Sequence, residues 1–291
     1  MHEPPPPTSV PAVASKPAVA RKWLVAILVL AFAFVLMPFL LWYMTTFSRP
    51  LTDAGLASYF YDKEHPRRAQ HALSQVADRI LSPNPATRES AKAWYPEVLK
   101  LSSKGSDEVR VTAAWVMGQD NQSHEFHEAL LHQLSDPNPM VARNAALSLV
   151  RFGDAAGHDL IASMLDPYST AAPRTGTLML RLKPGDALTS GTMVAQILVN
   201  GEKTEVRSQV PGTIERWIAA DGSGVQAGQP ILLLSPSSDM VWESLRALYI
   251  IGRVDDLPKV ENYARGGEAM PPQIQQQAEL AVQAISSRAS K

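Results

Sequence analysis

Between residues 176 and 236 the chain writes one β-type phrase twice. Gly176-Thr177-Leu178 opens the first copy and Gly212-Thr213-Ile214 opens the second. The first continues through Gly185, Gly191, Val194 and Ile197, and the second through Gly222, Gly228, Ile231 and Leu234. Each copy holds two glycines with five residues between them, then an apolar alternation. Alternation of period two places every second side chain on one face of a strand. Glycine supplies the positive φ that tight turns require. A segment in two such halves is expected to fold as a small sandwich of two pseudosymmetric four-strand halves. Asn200-Gly201 lies midway between them, and Asn-Gly flanked by apolar runs is a strong hairpin signal. Ile197-Leu198-Val199 is read as the strand running in, and Thr204 to Val210 as the strand running out.

The flanks are helical and also repeat. Asp107-Glu108-Val109-Arg110-Val111-Thr112-Ala113-Ala114-Trp115-Val116-Met117-Gly118 has a partner in Pro139-Met140-Val141-Ala142-Arg143-Asn144-Ala145-Ala146-Leu147-Ser148-Leu149, which ends in Phe152-Gly153-Asp154. Val109 and Val141 are 32 residues apart. Between the copies, Phe126, Leu130 and Leu134 form an i, i+4, i+8 stripe on a second helix. Each unit is therefore a helix pair. The alanine pair permits close helix approach, the glycine ends a helix, and Asp or Asp-Pro before the next is expected to cap it. A weaker copy is read upstream at Pro85 to Ala91, and two downstream at Val241 to Gly252 and at Ile274 to Ala278. Val141 to Val241 is 100 residues; removing one 32-residue repeat leaves 68, about the length of the β segment. The β segment thus reads as an insertion between complete repeats. One helix pair cannot bury its apolar face alone, whereas stacked pairs share a continuous core.

These repeats resemble HEAT repeats, particularly the short kind also found in phycobilisome lyase-type proteins. The β segment resembles the biotinyl/lipoyl domain superfamily over residues 174–236, including the barrel-sandwich hybrid of membrane-fusion-protein adaptors from bacterial export pumps. The closest matches are Val210 to Ile214 and Val225 to Leu232. Carrier members of that superfamily hold a cofactor on a lysine at the tip of the central hairpin. Here the tip falls on Gly201, and Lys203, two residues on, reads as an ordinary solvated hairpin lysine. The resemblance therefore implies a docking module; Lys203 is a cofactor site only under a carrier alternative.

The N-terminal region is read in two parts. Residues 1–22 are rich in Pro, Ala and Val without apolar periodicity, and are expected to be a disordered cytoplasmic tail. From Trp23 to Met44 the chain carries no charge. Those 22 residues would reach about 33 Å as a helix, against a bilayer core of ~30 Å. Trp23 at one end and Trp42 with Tyr43 at the other suit interfacial anchors. Lys16, Arg21 and Lys22 precede the span and Arg49 follows it. The excess of positive charge places the N-terminus in the cytoplasm and the rest of the chain in the periplasm. The stretch is longer than a signal-peptide core and no A-x-A site follows it, so an uncleaved inner-membrane anchor is expected.

Composition excludes several classes. A formal charge of −1 on 291 residues gives no basic footprint for a nucleic-acid partner. The chain has no cysteine, which removes disulfides, thiolate metal sites and cysteine nucleophiles. His124, His127 and His132 share one predicted helix, with His124 and His127 close on the wheel. Without a third or fourth ligand they read as a solvated face, and no metal or cofactor is expected. Asp255-Asp256 reads as a helix start, where carboxylates suit the dipole. No Walker loop, G-x-G-x-x-G, H-E-x-x-H or G-x-S-x-G is present, and no residue is assigned to catalysis.

The expectation is an α+β chain: a transmembrane helix at 23–44, an α-solenoid of HEAT-like pairs over 50–166 and 238–289, and an inserted lipoyl-like all-β sandwich at 168–237. Its expected role is a non-enzymatic scaffold or adaptor for other membrane or periplasmic proteins in an envelope or transport complex. The alternatives are a carrier domain for an acyl- or carboxyl-transfer enzyme and a receptor module for a small ligand or peptide.

Overall fold

The computed structural model describes residues 18–46, 50–62, 64–266 and 270–290. The chain divides into two compact units, Met1–Thr52 and Asp53–Lys291.

The first unit contains helix α1 (Ala18–Thr46), 29 residues with Pro38 inside. It begins five residues before the expected span, on Ala18-Val19-Ala20-Arg21-Lys22, all compatible with helix. The expected tail otherwise lies outside the described residues. Side chains of α1 are described at Trp23 and residues 27–40, all exposed. Among the described residues no helix is long and apolar enough to cross a membrane. The rest of the expected 23–44 span falls outside the described side chains.

The second unit is mixed helix and sheet. Its helices before the sheets are α2 (Asp53–Phe60), α3 (Pro66–Ile80), α4 (Pro85–Ala91), α5 (Tyr95–Lys104), α6 (Asp107–Met117), α7 (His124–Gln133), α8 (Pro139–Arg151) and α9 (His158–Ser163). After the sheets come α10 (Ser238–Ile251), α11 (Leu257–Ala264) and α12 (Pro272–Ala289). Helices α3, α6, α8, α10 and α12 pack successively on one another, while α5, α7, α9 and α11 form the returning arms. Pro85 therefore does not open a front helix. That role belongs to α3, whose Ala69, Leu73, Val76 and Ala77 are buried. The Asn84-Pro85 start deceives because its cap is the same as that of α8: Asn84 accepts from the Ala86 N–H, and Asn138 accepts from the Met140 N–H. The expected aspartate caps are also corrected. Asp136 instead accepts the Asn138 N–H at 2.9 Å and holds Arg110. Gly118 adopts ordinary helical φ; it is there because a Cβ would lie 2.5 Å from Ser148 Oγ on α8.

The strands are β1 (Tyr168–Ala171), β2 (Gly176–Leu180), β3 (Ala187–Leu188), β4 (Met193–Val199), β5 (Glu202–Arg207), β6 (Gly212–Trp217), β7 (Gly224–Val225) and β8 (Pro230–Pro236). They form two four-stranded antiparallel sheets, β1-β8-β6-β3 and β5-β4-β2-β7. Under the pseudosymmetry β2, β3 and β4 correspond to β6, β7 and β8, and the edge strands β5 and β1 take equivalent places. The doubled glycine has a steric cause. A Cβ on Gly176 would lie 2.6 Å from Leu198 O, and one on Gly212 would lie 2.5 Å from Ser235 O. The halves also trade equivalent hydrogen bonds: Gly185 N–H donates to Ile214 O and Gly222 N–H to Leu178 O, each at 2.8 Å. Asn200 (φ 50) and Gly201 (φ 86) make the β4–β5 turn, both in the left-handed region as a two-residue hairpin of this twist requires. The outgoing strand starts at Glu202, not Thr204, because so tight a turn leaves no loop residues.

Leu178, Val194, Ile197, Ile214, Ile231 and Leu234 centre the sandwich core, against which Met140 of α8 also packs. The helical core runs uninterrupted across the sheets: Ile161 and Leu165, before them, share one cluster with Val241, Leu245, Val260 and Ile274, after them.

Candidate functional site

Helix α7 displays the three histidines of interest. Ser123 caps it, accepting from the Phe126 N–H at 3.3 Å, and Phe126 and Leu130 bury its inner face. His124 and His127 come together and His132 stands apart, exposed. A carboxylate that sequence reasoning did not place joins them: the ligand atoms of His124, His127 and Glu128 all lie within 4.8 Å of one another. His127 is held by more than its own helix. Its Nε2 is 2.8 Å from Asp154 Oδ2, and its ring is 5.3 Å from that of Phe152. Asp154 is itself fixed, since Oδ1 accepts the Ala156 N–H at 2.7 Å. His124 also lines an open hollow of about 590 Å³ with Lys92, Tyr95 and Asp120. There the Tyr95 hydroxyl donates to Asp120 at 2.6 Å; burial first, then this bond, push the phenol up.

Lys203 sits on β5 directly opposite Leu198, exposed, two residues beyond the Asn200-Gly201 tip. The tip itself carries no lysine.

Two further hollows lie among the described residues. A groove of about 430 Å³ follows α8, α10 and α12, lined by Leu147, Val150, Ile250 and Leu280 with Arg151 and Arg246. Ile250 and Leu280 are 56% and 49% exposed, which leaves the groove floor apolar and open. Trp115, 32 residues before Leu147, is 43% exposed. The second is a cleft of about 700 Å³ between the helices and the sandwich, lined by Gln70, Glu108, Asn138, Arg207 and Gln209 among others. Arg207 on its wall is already engaged: it donates to Glu205 at 2.6 Å and to Gly191 O at 2.7 Å.

The sandwich is seated by buried contacts. The Arg143 guanidinium of α8 lies 5.4 Å from the Tyr168 ring centroid on β1; Arg143 is buried and Tyr168 half-buried. That burial pulls the Arg143 pKa down and pushes the Tyr168 hydroxyl up. Beyond the sheets the helices are tied back to those before them. His158 Nε2 is 2.8 Å from Asp256 Oδ2 across 98 residues, Ser244 donates to Ile161 O at 2.7 Å, and Lys259 meets Asp166 at 2.5 Å. Asp256 does stand at the start of a helical segment, as read, but the same Oδ2 that accepts the Arg253 N–H at 2.7 Å also meets this distant histidine. No sequence-local signal announces a pair so far apart.

A family model described as HEAT repeats matches residues 95–172, which run from α5 through α9 to the end of β1. No curated protein matches the chain. A solved structure of a single-chain, multi-domain long-chain acyl-CoA carboxylase is similar at 14% identity, over 44% of this chain and 15% of that one, with a TM-score of 0.24. The chain thus spans well under two thirds of that protein, and so slight a likeness carries no argument.

Proposed function

We propose that the chain is a non-enzymatic scaffold, tethered to the inner membrane by α1, that docks other membrane or periplasmic proteins. The observation that carries this reading is the open apolar groove on α8, α10 and α12, with Ile250 and Leu280 about half exposed at its floor. Contiguous apolar surface on a helical array is where a partner gains most by excluding water. The rim of Arg151, Glu243 and Arg246 supplies the polar border typical of a docking site. Membrane tethering draws support from the uncharged stretch 23–44, its aromatic ends, and the excess of Lys and Arg before it. The lipoyl-like identity of the sandwich draws support from its two equivalent four-strand halves and the central β4–β5 hairpin. A tip of Asn200-Gly201, with Lys203 displaced onto the strand, favours docking over carrying.

The test is purification from the native host after mild solubilisation. Stable co-purification with membrane partners is expected, and Ile250→Asp with Leu280→Asp should abolish it while circular dichroism stays unchanged. A lone monomer in every detergent, or partners that survive the double substitution, would overturn the reading. Protease added outside spheroplasts should digest the region after residue 50; protection there sinks the topology.

A further inference from the structure

On the outer face of α7 the histidines have a geometry that a merely solvated face does not need. His124 precedes His127 by three residues and Glu128 by four, so all three project from one strip of helix. His127 Nδ1 is 3.9 Å from Glu128 Oε1, while its other nitrogen is engaged by Asp154. A carboxylate accepting from Nε2 keeps the proton there and leaves the Nδ1 lone pair on the side of Glu128. This is the outer-shell arrangement that fixes the tautomer and ring plane of metal-bound histidines. Asp154 is well placed for it, following Gly153 at φ 75 and locked by the Ala156 N–H.

We propose that His124, His127 and Glu128 bind a divalent first-row cation of the zinc class, with Asp154 as a positioning residue. Two imidazoles and one carboxylate are a borderline donor set that suits zinc over magnesium or calcium, with a fourth position left to water. Bond lengths of ~2.0–2.1 Å put tetrahedral ligand atoms about 3.3 Å apart. The present spacing, within 4.8 Å, is closed by turning the exposed His124 and Glu128 side chains, while His127 stays as the anchor. Because Asp154 lies in the α8–α9 turn and the ligands on α7, the cation joins two successive helix pairs. It therefore stabilises the array as well as filling a site.

The experiment uses the full chain without a histidine tag, treated with chelator, then titrated with zinc chloride by calorimetry and thermal shift. One zinc per chain and a raised melting temperature are expected. Cobalt(II) should give the visible bands of a four-coordinate nitrogen and oxygen site, and magnesium should give neither effect. His127→Ala and Glu128→Gln should each weaken zinc binding by about tenfold or more. His132→Ala, on the same helix but outside the cluster, should leave it unchanged. Asp154→Asn should weaken it by about 10–100-fold with all three ligands still present. Glu128 is exposed, so its variant tests the site even if His127→Ala disturbs the fold. Absence of saturable one-to-one zinc binding, or binding that Glu128→Gln leaves intact, overturns the site. Full affinity in Asp154→Asn removes the positioning role.

Discussion

Asp136→Asn is the sharpest perturbation of the helical array. Asp136 accepts two hydrogen bonds from Arg110, Nε at 2.8 Å and Nη2 at 2.9 Å, in the bidentate geometry that makes such pairs strong. Its side chain is 9% exposed and that of Arg110 14%, so solvent screens the pair little. Arg110 is not left bare when the carboxylate goes. It keeps Gly105 O at 3.0 Å and the exposed Asp107 at 3.0 Å. Hydrogen bonds to charged groups contribute about 1.5–3 kcal/mol each, and breaking a buried pair costs about 3–5 kcal/mol. The retained partners place the expected loss at the lower end, about 2–3 kcal/mol. The amide oxygen of Asn can still accept the Asn138 N–H, so the start of α8 survives and the loss belongs to the ion pair.

The same carboxyl predicts a pH dependence. Burial alone would raise its pKa; the Arg110 hydrogen bonds, the Asn138 N–H and the Arg110 charge outweigh this and hold it below the usual carboxylate range. A depressed pKa stabilises the fold above the unfolded value of ~3.9, and that stabilisation is lost as pH falls through the folded value. The difference between native chain and variant should therefore be flat from about pH 7 to pH 5 and shrink below about pH 4. Urea unfolding followed by tryptophan fluorescence measures it, with Arg110→Met closing a double-mutant cycle whose coupling should be about 1–3 kcal/mol. A loss under about 0.5 kcal/mol at neutral pH, or a loss that persists undiminished at pH 3, would refute the ion-pair argument.

Two further outcomes follow from the packing around the sheets. Tyr263 donates to Leu165 O at 2.8 Å, and burial, then the charge of Asp166, push its pKa up to about 12. Its contribution is full below the unfolded value of ~10 and lost as pH rises through about 12, so Tyr263→Phe should cost about 1 kcal/mol at pH 8 and flatten the alkaline limb. A spectrophotometric titration in which every tyrosine ionises near pH 10 would contradict this. Gly157→Ala would bring a Cβ to 2.7 Å from Ala146 Cα, a backbone atom that cannot yield, and should destabilise by about 1–3 kcal/mol in urea; a neutral result would mean that α8 and α9 do not pack as described.

What the sequence makes legible is what short-range chemistry decides. Asn200-Gly201 reads correctly as a turn because two consecutive positive φ angles exclude most other residues. The spacing of Val109 and Val141 is visible because each is a fully or nearly buried position in equivalent helices. Helix α3 escapes as a front helix because it lacks the Asp-to-Gly punctuation, whereas Asn84-Pro85 carries cap chemistry. Cap chemistry reports that a helix begins, not which layer it joins. The site on α7 is half legible. The two histidines and Glu128 lie within one turn, but Asp154 comes from the next helix pair, 27 residues on, and only folding aligns it with His127.

The arginines show how an insertion can enter the array without breaking it. In the register set by Val109 and Val141, Ala142 occupies the place of Arg110, and Arg143 falls one residue later. One residue rotates a side chain by about 100° around the helix. Arg110 reaches the turn that follows its own pair, whereas Arg143 turns onto the Tyr168 ring at the first residue of β1. Asp166 precedes Pro167 as Asp136 precedes Pro137, but no arginine stands where Arg110 would serve it. Lys259 binds it instead, from beyond the sheets. One local ion pair is thus replaced by two contacts, one seating the sandwich and one closing the helices over the gap. His158 with Asp256 and Ser244 with Ile161 tighten the same closure. The module is thus held by the buried Arg143 on one side and bracketed by helices bonded to each other. Such seating suits the docking role proposed above better than that of a swinging carrier arm.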